Sequence, residues 1–167
     1  MTIELKPNEL FFLAKAMKAK YLDYVYLSMM QDIQLNYDVS EISNYESLVE
    51  KGYAEMDFGG DLEVDESIKN LMNPVFFGKN ECLVKTSQKQ VRVHQSESDL
   101  VFSELNEEGM IVFSYLDDHK LDEILSDSID IECANIDKGA CSRSFSATEL
   151  RDSNTRKEAI SMLKGEW

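Results

Sequence analysis

The sequence predicts an α+β fold. An N-terminal helical part carries a small winged-helix-like hairpin, and a four- to five-stranded antiparallel sheet follows, with C-terminal helices packed on it. Three observations predict it: apolar residues recur at helical spacing near the start, the period changes to two between Glu81 and Leu116, and helix-capping patterns return after Asp117. A length of 167 residues, 43% of them hydrophobic, suits one domain over 1–167, with a helical and hairpin subregion at 1–77 and a sheet subregion at 78–167.

The first helix begins at Pro7, a residue suited to a first helical position, and Leu10, Leu13, Ala14 and Met17 set its apolar face. Tyr21, Leu22, Tyr24, Val25, Tyr26 and Leu27 mix both periods, so the segment from Tyr21 to Gln34 reads as strand or helix alike, and Asn36 to Ser43 reads as loop. Ser43 with Glu46 forms a Ser-x-x-Glu capping box for a short helix that Gly52 ends. Tyr53–Met56, the turn at Gly59-Gly60-Asp61, and Leu62–Val64 form a hairpin. Asp65 then caps a helix with Ile68, Leu71 and Met72 inward and Pro74 near its end.

From Glu81 to Leu116 turn residues at Ser87–Gln90, Ser96–Asp99 and Asn106–Gly109 divide a four-stranded meander. In its second strand Val91 and Val93 alternate with Arg92 and His94, which places His94 on a wet face. The third and fourth strands are apolar on both faces, so helices of the same chain or a partner must cover the second one. A helix from Asp117 to Leu125 follows, and Ile129–Ile136 adds an edge strand. Lys138-Gly139 and the serine-rich stretch to Ser146 form a loop. Two capping boxes follow, Ser146-x-x-Glu149 and Thr155-x-x-Glu158, the second opening a helix with Ala159, Ile160 and Leu163.

Chemistry-bearing patterns are sparse. His94 and His119 are the two histidines and both read as surface residues; no nucleophile elbow, zinc helix or phosphate loop occurs, so no catalytic, cofactor or metal residue is assigned and an enzyme is not expected. Asp57, Asp61, Glu63, Asp65 and Glu66 lack the ligand order of a calcium loop and read as a solvated turn and helix cap. Cys82, Cys133 and Cys141, odd in number and without a CxxC pair, read as reduced thiols. No stretch approaches the roughly 20 apolar residues of a membrane span, and Thr2, Glu4 and Lys6 do not open a signal sequence, so a cytoplasmic location is expected. The net charge of −15 opposes phosphate backbones, so nucleic acid is not an expected partner.

The segment Leu48-Val49-Glu50-Lys51-Gly52-Tyr53, the acidic hairpin through Leu62-Glu63-Val64-Asp65, and the helix Glu66–Met72 ending at Asn73-Pro74 have two precedents. One is a winged helix, but Glu46 and Glu50 stand where DNA-reading side chains belong, and the wing carries Asp57, Asp61 and Glu63. With the opening helix Asn8–Met17 before it and the strands Cys82–Leu116 after it, the segment more closely resembles the N-terminal part of EspG-like proteins. These are cytosolic chaperones and accessory factors of type VII (ESX) secretion systems. The actinobacterial members are larger, with a second related half, so the resemblance implies a compact Firmicutes-type member. It implies binding of helical-hairpin export substrates in the cytoplasm and their delivery to the secretion machinery. No binding residue of the family maps onto a motif here.

Such a protein would cap an apolar hairpin tip on its client by burying it against a sheet face. The candidate protein-binding surface is the third and fourth strands with the loop from Gly139 to Phe145, and its candidate anchors are Phe102, Phe113, Tyr115 and Phe145; the same aromatics also read as core. Two other functions fit an acidic binding domain: a regulatory protein with a degenerate winged helix, and an immunity protein neutralising a partner toxin.

Overall fold

The computed structural model describes residues 1–20, 22–30, 37–97, 99–135 and 141–166. The order of elements is β1 (Thr2–Leu5), α1 (Pro7–Ala16), α2 (Tyr24–Ser28), α3 (Tyr37–Glu50), β2 (Ala54–Met56), β3 (Leu62–Val64), α4 (Glu66–Phe77), β4 (Asn80–Thr86), β5 (Gln90–Ser96), β6 (Asp99–Leu105), β7 (Ile111–Tyr115), α5 (Asp118–Ser126), β8 (Ser128–Asn135), β9 (Cys141–Ser146) and α6 (Ser153–Leu163). Among the described residues, seven strands form one antiparallel sheet in the order β1-β7-β6-β5-β4-β8-β9, and β2 and β3 pair as a separate hairpin.

The α+β class, the first helix, the hairpin and the four-stranded meander agree with the sequence reading. The sheet is wider than the four or five strands expected. β1, whose Thr-Ile-Glu-Leu alternation is too short to stand out, joins one edge beside β7. At the other side, the strand expected at the edge is interior: β8 lies between β4 and β9, and Cys141–Ser146, expected as loop, is the edge strand β9. Ile136, Lys138 and Gly139 lie outside the described residues, as do Tyr21 and residues 31–36; the ambiguous segment between them contains the helix α2.

Two cores lie on opposite faces of this sheet, displaced from one another. On the first face Ile3, Leu5, Val101, Ile111 and Phe113 meet α1 and α4 through Leu10, Leu13, Ile68, Leu71 and Phe76. On the second, Val84, Val91, Val93, Phe102, Ile131 and Phe145 meet α5 and α6 through Leu121, Ile124, Leu125, Ala159 and Leu163. Neighbours Val101 and Phe102 enter different cores because successive side chains of a strand point to opposite faces. Except at Leu105 and Tyr115, the strands that were apolar on both sides are thus covered largely by helices of the chain itself.

Several local expectations are corrected. Residues 37–43 are helical, not loop, and Ser43 sits inside α3 instead of capping it. Contacts with α1 support those first turns: the Phe12 ring lies 5.6 Å from Tyr37 and 6.0 Å from Tyr45, and Lys15 pairs with Glu41. The α4 helix continues through Pro74 to Phe77, because Phe76 extends its buried face. The last helix is capped by Asp152, whose carboxylate accepts from the Asn154 and Thr155 N–H groups, three residues ahead of the expected Thr155 box; the Ser146–Glu149 box forms as expected. The cysteine reading also fails. Cys82 and Cys133 face each other across β4 and β8, 4.1 Å apart at Cα, and are joined by a disulfide.

Candidate functional site

The helix α2 crosses the first face of the sheet like a strap. It forms because Asp23 caps it, accepting the Val25 N–H at 2.7 Å, and it is anchored by one buried side chain, Tyr26. The Tyr26 hydroxyl lies 2.6 Å from Ser103 Oγ and 3.0 Å from His94 Nε2, and the last two atoms are 3.3 Å apart. Beside this trio Arg92 donates to Asp23 at 3.2 Å and to Glu81. The strap is therefore tied to β4, β5 and β6 by polar contacts, where its length is too small for an apolar face.

His94 is buried, not on a wet face as the alternation suggested, because α2 covers the polar side of β5 at that point. Burial, then the nearby Arg92 charge, pushes its pKa down to about 4, so the ring is neutral and bonds as an acceptor or single donor. Burial raises the Tyr26 phenol. Burial, followed by the Asp23 charge, pushes the Glu81 carboxyl up to about 7, against the opposing effect of Arg92. Ser103 is buried with Tyr26 and His94, at the inner wall of the cleft that Tyr26 and Arg92 also line, and its hydroxyl is engaged by the Tyr26 phenol. The trio acts as a fastener.

These opposed shifts have a measurable result. Neutral His94 stabilises the fold above its ordinary pKa of 6.5, and that contribution is lost as pH falls toward 4. Protonated Glu81 stabilises it below its ordinary 4.5, and that is lost as pH rises toward 7. Between these values the slopes oppose. In urea unfolding from pH 4.5 to 6.5, Glu81→Gln should become more stable as pH rises and His94→Gln less stable, each by up to about 3 kcal/mol. Slopes identical to that of the unsubstituted protein would refute the assignment.

Two clefts flank the strap on its outer side. One of about 380 Å³ is lined by Val25, Tyr26, Met29, Leu83, Arg92 and Leu105. A second, of about 570 Å³, shares Met29 and Leu105 and continues to Pro7, Asn44 and Glu108. Leu105, at the end of β6, is 52% exposed, and Ile111 lies opposite it. The result is an apolar trough across the sheet with polar groups at its rim.

The aromatics expected as anchors are placed elsewhere. Phe113 is buried in the first core, Phe145 in the second, and Phe102 is 7% exposed in the second; Tyr115, at 37%, is the one that presents surface. Gly139 lies outside the described residues. The trough residues Met29 and Leu105 carried no separate signal in the sequence beyond Leu105 standing beside a turn. The acidic residues of the β2–β3 hairpin are turn and cap: Asp57 accepts the Gly59 and Asp61 N–H groups, and Asp65 accepts the Ser67 N–H. Among the described residues no group of three or more His, Cys, Asp or Glu side chains is arranged to hold a metal ion, and no helix is long and apolar enough to cross a membrane. Compared with known proteins, the chain matches no family model, and no curated protein matches it closely enough to indicate relatedness.

Proposed function

We propose that the protein is a protein-binding chaperone or accessory factor of the type VII secretion kind, which holds a helical-hairpin segment of an export substrate in the trough beside α2. The observation that supports this reading is the apolar trough itself, where half-buried Val25, Met29 and Leu83 and exposed Leu105 line the clefts beside an anchored strap. A leucine or phenylalanine at a hairpin tip gains roughly 1.5–3 kcal/mol when fully buried there. The rim, where Glu104 is paired with Lys89 and Glu108 borders the second cleft, selects for a client that places polar groups beside that tip. The client replaces water over the sheet, which keeps its own apolar tip from self-association. A cytoplasmic setting for this activity requires Cys82 and Cys133 to be thiols in the cell, since cytosolic reductants oppose disulfides.

The test is co-purification of the tagged chain from its native cells, alongside a Leu105→Asp variant checked for folding by circular dichroism. One helical-hairpin export substrate in a defined complex is expected, with its recovery falling at least tenfold in the variant, because a carboxylate in the trough must be desolvated against the client. Recovery of a toxin or nucleic acid instead, or of the same substrate undiminished by Leu105→Asp, would remove this function from the trough.

A further inference from the structure

We infer that the face formed by α3 and the β2–β3 hairpin binds a basic amphipathic helix of a partner protein, at a site separate from the α2 trough. In α3, a helix of 14 residues, Leu48 is the one buried side chain. Its outer side carries apolar residues all the same: Val39 is 69% exposed, Ile42 58%, and Val49 lies two turns beyond Ile42, with Glu46 between them, in an arc turned away from α1. The hairpin adds Met56, and at its tip Phe58 is fully exposed.

This exposure is built into ordered structure. Asp57 donates its N–H to the Asp61 carbonyl at 2.9 Å while its carboxylate accepts two turn N–H groups, and Gly60 takes the positive φ of 86° that closes the turn. Phe58 is thus presented by a fixed turn. The helix and hairpin are also joined firmly. The Tyr53 N–H donates to the Leu48 carbonyl at 3.0 Å, the Asp65 N–H to the Tyr53 carbonyl at 3.0 Å, and Leu48, Leu62 and Val64 enter the first core. Between them lies a cleft of about 530 Å³ bordered by Val49, Ala54, Glu55, Glu63 and Val64.

Charge selects the occupant. Residues 37–64 carry eight acidic side chains and one basic, Lys51, which is held by Glu9 at 2.6 Å, and Lys69, which also borders the cleft, is paired with Glu66 at 3.3 Å. An apolar row walled by carboxylates is complementary to a helix with an apolar stripe flanked by Lys and Arg. The same carboxylates repel nucleic-acid phosphates and anionic lipid, which sets this face apart from a DNA-reading winged helix.

The probe is a synthetic helical peptide of about 18 residues, five turns, made of Leu and Lys in amphipathic order, with a Leu/Glu counterpart. Each is titrated into the 15N-labelled full chain. The Leu/Lys peptide is expected to shift the amide signals of α3 and the hairpin, and the Leu/Glu peptide to shift none. The triple variant Val39→Ser/Ile42→Ser/Phe58→Ser, which leaves the charge unchanged, should weaken binding at least tenfold while Leu105→Asp leaves it intact. Absence of binding, shifts scattered over other acidic surfaces, or equal affinity in the triple variant would each overturn the proposal. Dilution-dependent shifts of the same signals without peptide would assign the face to a second copy of the chain and overturn it too.

Discussion

Reduction of the Cys82–Cys133 bond is expected to lower the unfolding free energy by about 4 kcal/mol and the melting temperature by about 10 °C, measured by denaturant and thermal unfolding with and without reductant. The bond joins residues 51 apart, and cross-linking a loop of that length removes about 4 kcal/mol of conformational freedom from the unfolded chain. Little is lost in the folded state on reduction, since both residues stay buried in the second core as small apolar side chains. The Cys82→Ala/Cys133→Ala variant should therefore behave like the reduced protein. The chain contains three cysteines, so thiol titration in denaturant should count one per chain before reduction and all of them after it. Three thiols before reduction, or stabilities within about 1 kcal/mol of each other, would remove the bond from the account of this fold.

Replacing Glu9 by leucine should cost about 3 kcal/mol, read from the shift in urea midpoint at unchanged slope. Glu9 lies in the first turn of α1 and is completely buried. Its carboxylate accepts from the Lys6 N–H at 2.7 Å, the Ser47 hydroxyl at 2.6 Å and the Lys51 ammonium at 2.6 Å, so it closes the start of its own helix and fastens α1 to the end of α3. Burial alone would raise its pKa. The bonds from Lys51, Ser47 and the Lys6 backbone outweigh burial and hold the carboxyl below its ordinary value of 4.5. Its contribution is therefore present above that value and declines as pH falls through the lowered one. Leucine fills the space but takes the carboxylate acceptor from the Ser47 hydroxyl and the Lys6 N–H, and leaves the Lys51 ammonium with the Glu4 carbonyl but no counter-charge from Glu9. Glu9→Gln, which keeps an acceptor and loses the charge, should fall between the two proteins. A cost under about 0.5 kcal/mol for Glu9→Leu would show that α3 is held by Leu48 and the aromatic contacts instead.

The parts of the fold legible in sequence were those decided locally. The meander β4 to β7 announced itself through alternation and three turns, and α4 through its aspartate cap. Distant pairing left no such trace. β1 is four residues long, and nothing near Ile3 indicates that its partner is β7. His94 looked solvent-facing because alternation assigns a side chain to a face without saying what covers that face, and α2 was itself ambiguous in period. The candidate site followed the same limit. Aromatics on a sheet mark contact surface or core according to whether the chain supplies its own cover, and here α4, α5 and α6 supply it over Phe113, Phe102 and Phe145. What stays exposed on these strands is Leu105 at the end of β6 and Tyr115 at the end of β7.

The pairing of β1 with β7 inverts the order of synthesis. Thr2 and Ser114 stand opposite one another in the ladder, so a strand that leaves the ribosome early waits for one made more than a hundred residues later. Until then Ile3 and Leu5 lack the neighbouring strand they pair with, although α1 already has α3 and α4 to pack on. Closing so long a loop must precede the contacts that reward it, which makes this step slow relative to the hairpins of the meander. A growing chain thus carries an unpaired strand, with Ile3 and Leu5 on it, until β7 has been made.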